Sequence, residues 1–320
     1  MMEEILSVKD LKKYFTRGGF YRRKNLVKAV DKVSFFVKKG ETFVLAGESG
    51  SGKTTTARLI LRAIEPDAGT ITFDGVNVTD DISLKKIRKE CQMIHQDPYA
   101  SVNPRMTVSD IIREPLDIHE IGNAKERNRL VLEALHEVKL EPAEEITKKY
   151  PHMLSGGQRQ RVAIARSIVT KPKLVLADEP VSMLDVSVRI GILELMLELQ
   201  EKLGISFLYI THDLSTARYI GHRIAIMYFG KIVESGPIND VLSNPKHPYT
   251  QALIDSISDP DPDNLKKNKE IRINEPLDIN VYEGCRFRAR CPYAVDKCKQ
   301  EPKLETIEND RAVACFFPLN

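Results

Sequence analysis

The chain has 320 residues, enough for one large domain or two ordinary ones, since single cores stop growing at roughly 250 to 300 residues. Apolar residues at 42% and charged residues at 29% describe a globular chain that can bury a full core, which excludes disordered and fibrous classes. The 48 basic and 45 acidic side chains nearly cancel at +3, which excludes a polyanion binder held by charge alone.

The start, Met1-Met2-Glu3-Glu4, is acidic and has no apolar signal-peptide core, so a cytosolic location is expected. Short strand-like runs come next at Phe35-Phe36-Val37, Phe43 to Ala46 and Thr70 to Phe73, separated by turns at Lys39-Gly40 and Asp74-Gly75. The segment Gly47-Glu48-Ser49-Gly50-Ser51-Gly52-Lys53-Thr54, with Thr55 next, fits the G-x-x-x-x-G-K-[ST] phosphate loop at every defined position. It leaves a buried-strand run and opens a helix whose Ala57, Ile60, Leu61 and Ile64 fall on one face. Glycines there let successive N–H groups face phosphate oxygens, Lys53 would neutralise the β and γ phosphates, and the Thr54 hydroxyl would ligate Mg²⁺.

Residues 84 to 150 show helical periodicity, as in Leu130, Ala134, Leu135 and Val138. Ser155-Gly156-Gly157-Gln158 opens a further helix, and a Ser-Gly-Gly cap leaves unobstructed N–H donors at a positive helix end. The phosphate loop already serves one nucleotide. This second anion site therefore makes most sense closing on a triphosphate held by another protomer. Leu174 to Ala177 is an apolar strand ending in Asp178-Glu179, where an open parallel sheet places its ligands. Asp178 can hold the metal or its water, and Glu179 is placed to take a proton from the water attacking the γ phosphate. A further strand, Ile205 to Ile210, precedes His212. No run approaches the ~20 apolar residues of a membrane-spanning helix. Ser258 to Asp263 and Lys266 to Lys269 read as a linker, beyond which lie four of the five cysteines.

The Ser155 segment resembles the signature motif of the ABC ATPases, and other positions match that family in order. Gln96 looks like the Q-loop glutamine, Ser182-Met183-Leu184-Asp185 like the D-loop with Met183 where Ala is usual, and His212 like the switch histidine. The resemblance implies an α/β fold: an ABC-type P-loop ATPase core with a β subdomain and a helical insert at about 84–170. It assigns Gln96 to sensing metal, water and the membrane subunit, His212 to contacting the γ phosphate, and Asp185 and Ser155 to Gln158 to a second protomer's ATP. Phe15 occupies the position whose aromatic stacks on adenine, with Tyr14 the fallback. The basic stretch Arg17, Arg22, Arg23, Lys24 and Lys28 can touch lipid headgroups, touch the nucleotide or face water.

Outside the core, His95 to Met106 and Asn244 to Leu253 look like segments shared by ATPase subunits of dipeptide and oligopeptide importers. This implies a motor bound peripherally at the cytoplasmic face of the membrane. Its partners would be a second ATPase chain, related or identical, two membrane-spanning permease subunits and an extracellular solute-binding protein, with no nucleic acid. Relatives for nickel, glutathione and sugars belong to the same branch. A soluble ABC ATPase acting on nucleic acid would need coiled-coil arms or a duplicated cassette, and an electron-transfer protein would leave the ATPase motifs idle.

The expected organisation is a nucleotide-binding domain at 1–257, a linker at 258–270 and a small cysteine-rich metal-binding tail at 271–320, with the ATP site in the first part. Cys285, Cys291, Cys298 and Cys315 lack the pairs spaced by two to four residues usual for structural zinc. Four thiolates in a loop-rich tail can equally ligate a [4Fe–4S] cluster. The resemblance favours that cluster, with zinc second and free or oxidised thiols third. Cys91 reads as a buried small hydrophobe.

Overall fold

The computed structural model describes residues 3–17, 25–78, 84–98, 102–256, 282–308 and 310–320. Most of the basic stretch (18–24), the expected linker (258–270) and the importer-like residues 99–101 lie outside them.

Strands β1 (Glu4–Arg17) and β2 (Asn25–Lys38) form a long antiparallel hairpin, and β3 (Thr42–Ala46) is next, buried throughout. Beyond the phosphate loop come α1 (Lys53–Ile60), β4 (Ala68–Phe73), β5 (Val76–Asn77), α2 (Leu84–Glu90) and β6 (Cys91–Ile94). The helical region holds α3 (Val108–Ile118), α4 (Ala124–Glu137), α5 (Ala143–Ile146) and α6 (Gly156–Ile168). Side chains start three of these helices by accepting otherwise orphaned N–H groups: Thr107 caps α3, Asn123 caps α4, and Ser155 with Gln158 forms a reciprocal capping box on α6. The chain then alternates β7 (Leu174–Asp178), α7 (Val186–Leu203), β8 (Ser206–Thr211), α8 (Leu214–Ile220) and β9 (Arg223–Tyr228). It continues with β10 (Lys231–Pro237), α9 (Ile238–Ser243) and α10 (Pro248–Asp255), and the tail adds β11 (Glu305–Glu308) and β12 (Arg311–Val313).

Among the described residues the strands make a four-stranded sheet in the order β2-β1-β4-β5 and an eight-stranded sheet in the order β11-β12-β10-β9-β3-β8-β7-β6. Within the second, β6, β7, β8, β3 and β9 run parallel. These strands read as unbroken apolar runs because both faces are covered. The pleat sorts them: Val44, Ala46, Val175, Ala177, Phe207 and Tyr209 join the helix-side core. Their alternate neighbours Phe43, Leu45, Leu174, Leu176, Leu208 and Ile210 join the core shared with β1, β2 and α1.

Two features differ from the sequence-based expectation. The stretch 84–170 contains β6, a strand of the main sheet, so the inserted helices proper begin at Val108. The segment beyond 281, expected as a small tail behind a linker, is built into the main sheet and its core. β12 pairs with β10, opposing Val313 to Glu234, and Phe287, 1% exposed, belongs to the helix-side core. Arg311 and Glu234, both buried, form an ion pair at 2.7 Å across this junction.

Candidate nucleotide site and the cysteine-lined tail

The parallel register brings the chemistry together. Ala46 of β3 stands opposite Thr211 of β8, Asp178 of β7 opposite Ile210, and Ile94 of β6 opposite Ala177. The phosphate loop, Gln96, Glu179 and His212 therefore leave the sheet at one edge, the carboxyl end where open sheets bind ligands.

In the loop, Gly52 has φ 107° and a Cβ there would land on the Ala29 carbonyl oxygen. That conformation and that approach both require glycine. Lys53 is buried and donates to the carbonyls of Gly47 at 2.7 Å and Glu48 at 2.9 Å, spanning the loop from within. Burial holds its ammonium below the usual lysine range, against the pull of Glu179, Asp178 and Glu48. The Thr54 hydroxyl donates to Asp178 Oδ1 at 3.1 Å, joining the two groups expected to hold Mg²⁺. Burial raises the Asp178 carboxyl above its ordinary range.

Glu179 sits at φ 47°, a left-handed conformation that is strained for a side chain with a Cβ. Its backbone N–H donates to the Ile210 carbonyl. One carboxylate oxygen accepts from Gln96 Nε2 at 2.9 Å, and the other lies 2.9 Å from His212 Nδ1. A cleft of about 750 Å³ is lined by these three side chains together with Glu48, Ser49, Gly50, Gly52, Lys53, Thr54 and Thr55. Gly47 and Ser51 form the loop's root without lining the cleft.

Neither aromatic expected at the base lines the cleft. The Tyr14 hydroxyl is engaged by Asp31 Oδ1 at 2.6 Å, and Phe15 is 41% exposed, in register with Val27 at the cleft's edge. Lys28, from the basic stretch, lines the cleft; sequence reasoning missed Val27 and Phe229 of the cleft wall and, from the tail, Tyr282. The cleft is thus not lined by residues 1–257 alone. Nothing local marks Tyr282, which reaches the cleft only because the tail folds back.

Ser155, Gly156, Gly157 and Gln158 do not line this cleft. The Ser155 hydroxyl accepts from the Gln158 N–H at 3.2 Å while Gln158 Oε1 accepts from the Ser155 N–H at 3.0 Å. A Cβ on Gly157 would collide with Val188 of α7, so close packing of α6 against α7 needs glycine there. Asp185 occupies the N-cap position of α7 without a side-chain bond to the helix, and it is exposed. Met183 and Val186, its near neighbours in the chain, are 63% and 72% exposed, and Met153, just before the signature helix, is 59% exposed.

In the tail, Cys285, Cys291, Cys298 and Cys315 line one cavity of about 20 Å³ walled by Phe287, Phe316 and Phe317. None forms a disulfide. Burial pushes the Cys285 thiol up to about 11 and raises those of Cys291 and Cys315. Among the described residues no three His, Cys, Asp or Glu side chains converge closely enough to hold one metal ion. Cys91 is buried in β6, its thiol raised by burial alone.

Comparison with known proteins agrees with this geometry. The ABC transporter family model matches residues 30–182, and a model described as oligopeptide/dipeptide transporter, C-terminal region, matches residues 233–298. The chain is 44% identical to the oligopeptide transport ATP-binding protein AppF of Bacillus subtilis, over 98% of each chain. It is 42% identical to the dipeptide transport ATP-binding protein DppF of Haemophilus influenzae, over 98% of this chain and 96% of that one. Among solved structures, the dimeric bacterial ABC transporter cassette MJ0796 superposes with a TM-score of 0.64 at 31% identity, covering 73% of this chain and 98% of the other. No helix among the described residues is long and apolar enough to cross a membrane. The chain belongs to the ABC transporter ATPases, in the branch of oligopeptide and dipeptide transport ATP-binding subunits.

Proposed function

We propose that this chain is the ATP-hydrolysing motor subunit of an importer for dipeptides or oligopeptides. The observation that carries the catalytic reading is the Glu179 carboxylate, held between Gln96 and His212 at a strained strand end beside the phosphate loop. Glu179 takes the proton of the attacking water. Gln96 orients that water and the carboxylate, and His212 contacts the γ phosphate. Lys53 turns from the loop carbonyls to the β and γ phosphates, while Thr54 and Asp178, already hydrogen-bonded, hold the metal with Gln96. Mg²⁺ supplies charge neutralisation of the phosphates when bound. Phe15, exposed at the cleft's edge, is the aromatic at the family's base-stacking position, and Phe229 and Tyr282 are aromatics of the cleft wall itself.

The exposed signature end and the exposed apolar side chains of Met153, Met183 and Val186 fit a second cassette, so that Ser155 to Gln158 and Asp185 close on the partner's ATP. The partner is a related ATPase chain or a second copy. The pair drives two membrane permease subunits at the cytoplasmic face, and an extracellular binding protein supplies the solute. The names of the relatives and the match over 233–298 support peptides over nickel, glutathione or sugars. The organisation is read as a nucleotide-binding domain at 1–257, a linker at 258–270 and a tail at 271–320, whose residues from 282 onward pack against the main sheet.

The four cysteines around one apolar-walled cavity are read as the ligand set of a [4Fe–4S] cluster, with zinc the alternative; at about 20 Å³ the cavity has room for roughly one water, so taking up the cluster would draw the cysteine loops apart. Such a cluster would stabilise the loops that carry its ligands.

Glu179→Gln tests the catalytic reading. Turnover with the partner subunits present should fall by roughly 10²- to 10⁴-fold while ATP binding persists and a nucleotide-sandwiched dimer accumulates. Wild-type turnover in that variant would sink the assignment. Anaerobically purified protein should carry roughly four irons and four sulfides per chain, and Cys291→Ser should bleach it. Iron-free protein with an ordered tail would refute the cluster.

A further inference from the structure

We propose that Arg290, in the cysteine tail, is a positioning residue for ATP binding that offsets the Glu48 charge inside the phosphate loop. Glu48 is an anion built into a loop whose task is to receive a polyanion. It lines the cleft, and its side chain is 41% exposed. Arg290 Nη1 donates to both carboxylate oxygens, at 3.0 and 3.2 Å, and to the Tyr228 hydroxyl at 3.4 Å.

The guanidinium is seated firmly. It lies 5.8 Å from the Phe287 ring centre and 5.9 Å from that of Tyr228. Those rings pack edge to face at 5.4 Å, and Tyr249 contacts both. Tyr249 completes the link, its hydroxyl accepting from the Glu48 N–H at 3.0 Å. The loop's second residue is therefore gripped twice, at its backbone by Tyr249 from α10 and at its side chain by Arg290, whose neighbour is Cys291. The tail makes a second contact with the site: Tyr282 lines the cleft beneath the Arg286 guanidinium, which itself reaches Asp31 of β2 and the Phe229 carbonyl.

A half-exposed ion pair adds little to folding stability. Its effect lies at the ligand, because an unopposed carboxylate at Glu48 repels every phosphate entering the loop. The inference stands whatever the four cysteines hold. It makes the tail a part of the nucleotide site, so that any event that loosens the tail withdraws Arg290 and lowers ATP affinity.

The test measures binding of a fluorescent ATP analogue with Mg²⁺ to the full chain, alongside KM and kcat in the assembled transporter. Arg290→Ala should weaken binding roughly three- to tenfold at low ionic strength and less at high salt, since screening removes the repulsion. KM should rise while kcat at saturation stays within about twofold. Arg290→Lys should restore most of the affinity. Glu48→Gln should bind at least as tightly as wild type, and adding Arg290→Ala to it should change nothing further. Unchanged affinity in Arg290→Ala, or an equal loss in the Glu48→Gln background, would overturn the proposal. Where Arg290→Ala disturbs the tail, seen as protease cleavage beyond residue 281, Glu48→Gln decides alone: weaker binding than wild type refutes the charge role.

Discussion

The phosphate-loop edge of the main sheet and the cysteine tail meet at Glu48 but are built by different means. At the sheet edge, neighbouring strands in parallel register set Gln96, Glu179 and His212 beside the loop, and each residue lies within two positions of the strand end that carries it. The tail is held by side chains far apart in sequence: Arg290 to Glu48, Arg286 to Asp31, Arg311 to Glu234, and Phe287 among Tyr228, Tyr249 and His247. Backbone register can be read from motifs, because a strand end fixes where the next one or two residues sit. Long-range side-chain docking leaves almost no local trace.

The sharpest way to break this comparison is Phe287→Ala. If the tail is part of the core, removing a 1%-exposed ring should destabilise the whole chain by about 3 to 5 kcal/mol, measured from the denaturant midpoint in a single transition. A separate early transition for the tail, with the rest unchanged, would show two independent units. Lys53→Ala probes the other region. Loss of charged hydrogen bonds to phosphate, each contributing about 1.5–3 kcal/mol, should weaken nucleotide binding roughly a hundredfold and leave the denaturant midpoint of the nucleotide-free protein nearly unchanged. A binding curve like that of wild type would remove Lys53 from the site. The smallest effect is expected where the two regions touch. Cys291→Ser should lower ATP affinity only severalfold, through Arg290, and an affinity identical to wild type in a variant with a loosened tail would separate the regions again.

The main site was largely legible. Gly52 needs a positive φ and a close approach to Ala29, constraints that few residue types satisfy, so the loop announces itself in the chain. Ser155 and Gln158 likewise form the capping box that their spacing predicts. The strained backbone of Glu179 was invisible, since a positive φ at a glutamate is imposed by its surroundings, here the bond from its N–H to Ile210. Strand β6 was hidden among helices because four residues are too few to show a period, and pairing with β7 decided the matter. The hydrogen bond from the Tyr14 hydroxyl to Asp31, seventeen positions away, was equally invisible, since no local pattern pairs the two.

The sequence by itself determined the nucleotide fold, the phosphate loop, the acidic strand end and the signature helix. Those features depend on glycine conformation, capping and runs of apolar residues, all of them local. Only the tertiary structure decided that β12 extends the main sheet, that the four cysteines line one cavity, that Tyr282 lines the cleft and that Arg290 pairs with Glu48 of the phosphate loop. Each of these joins residues tens to hundreds of positions apart. Their association depends on buried rings and paired charges that become partners only once the chain has folded.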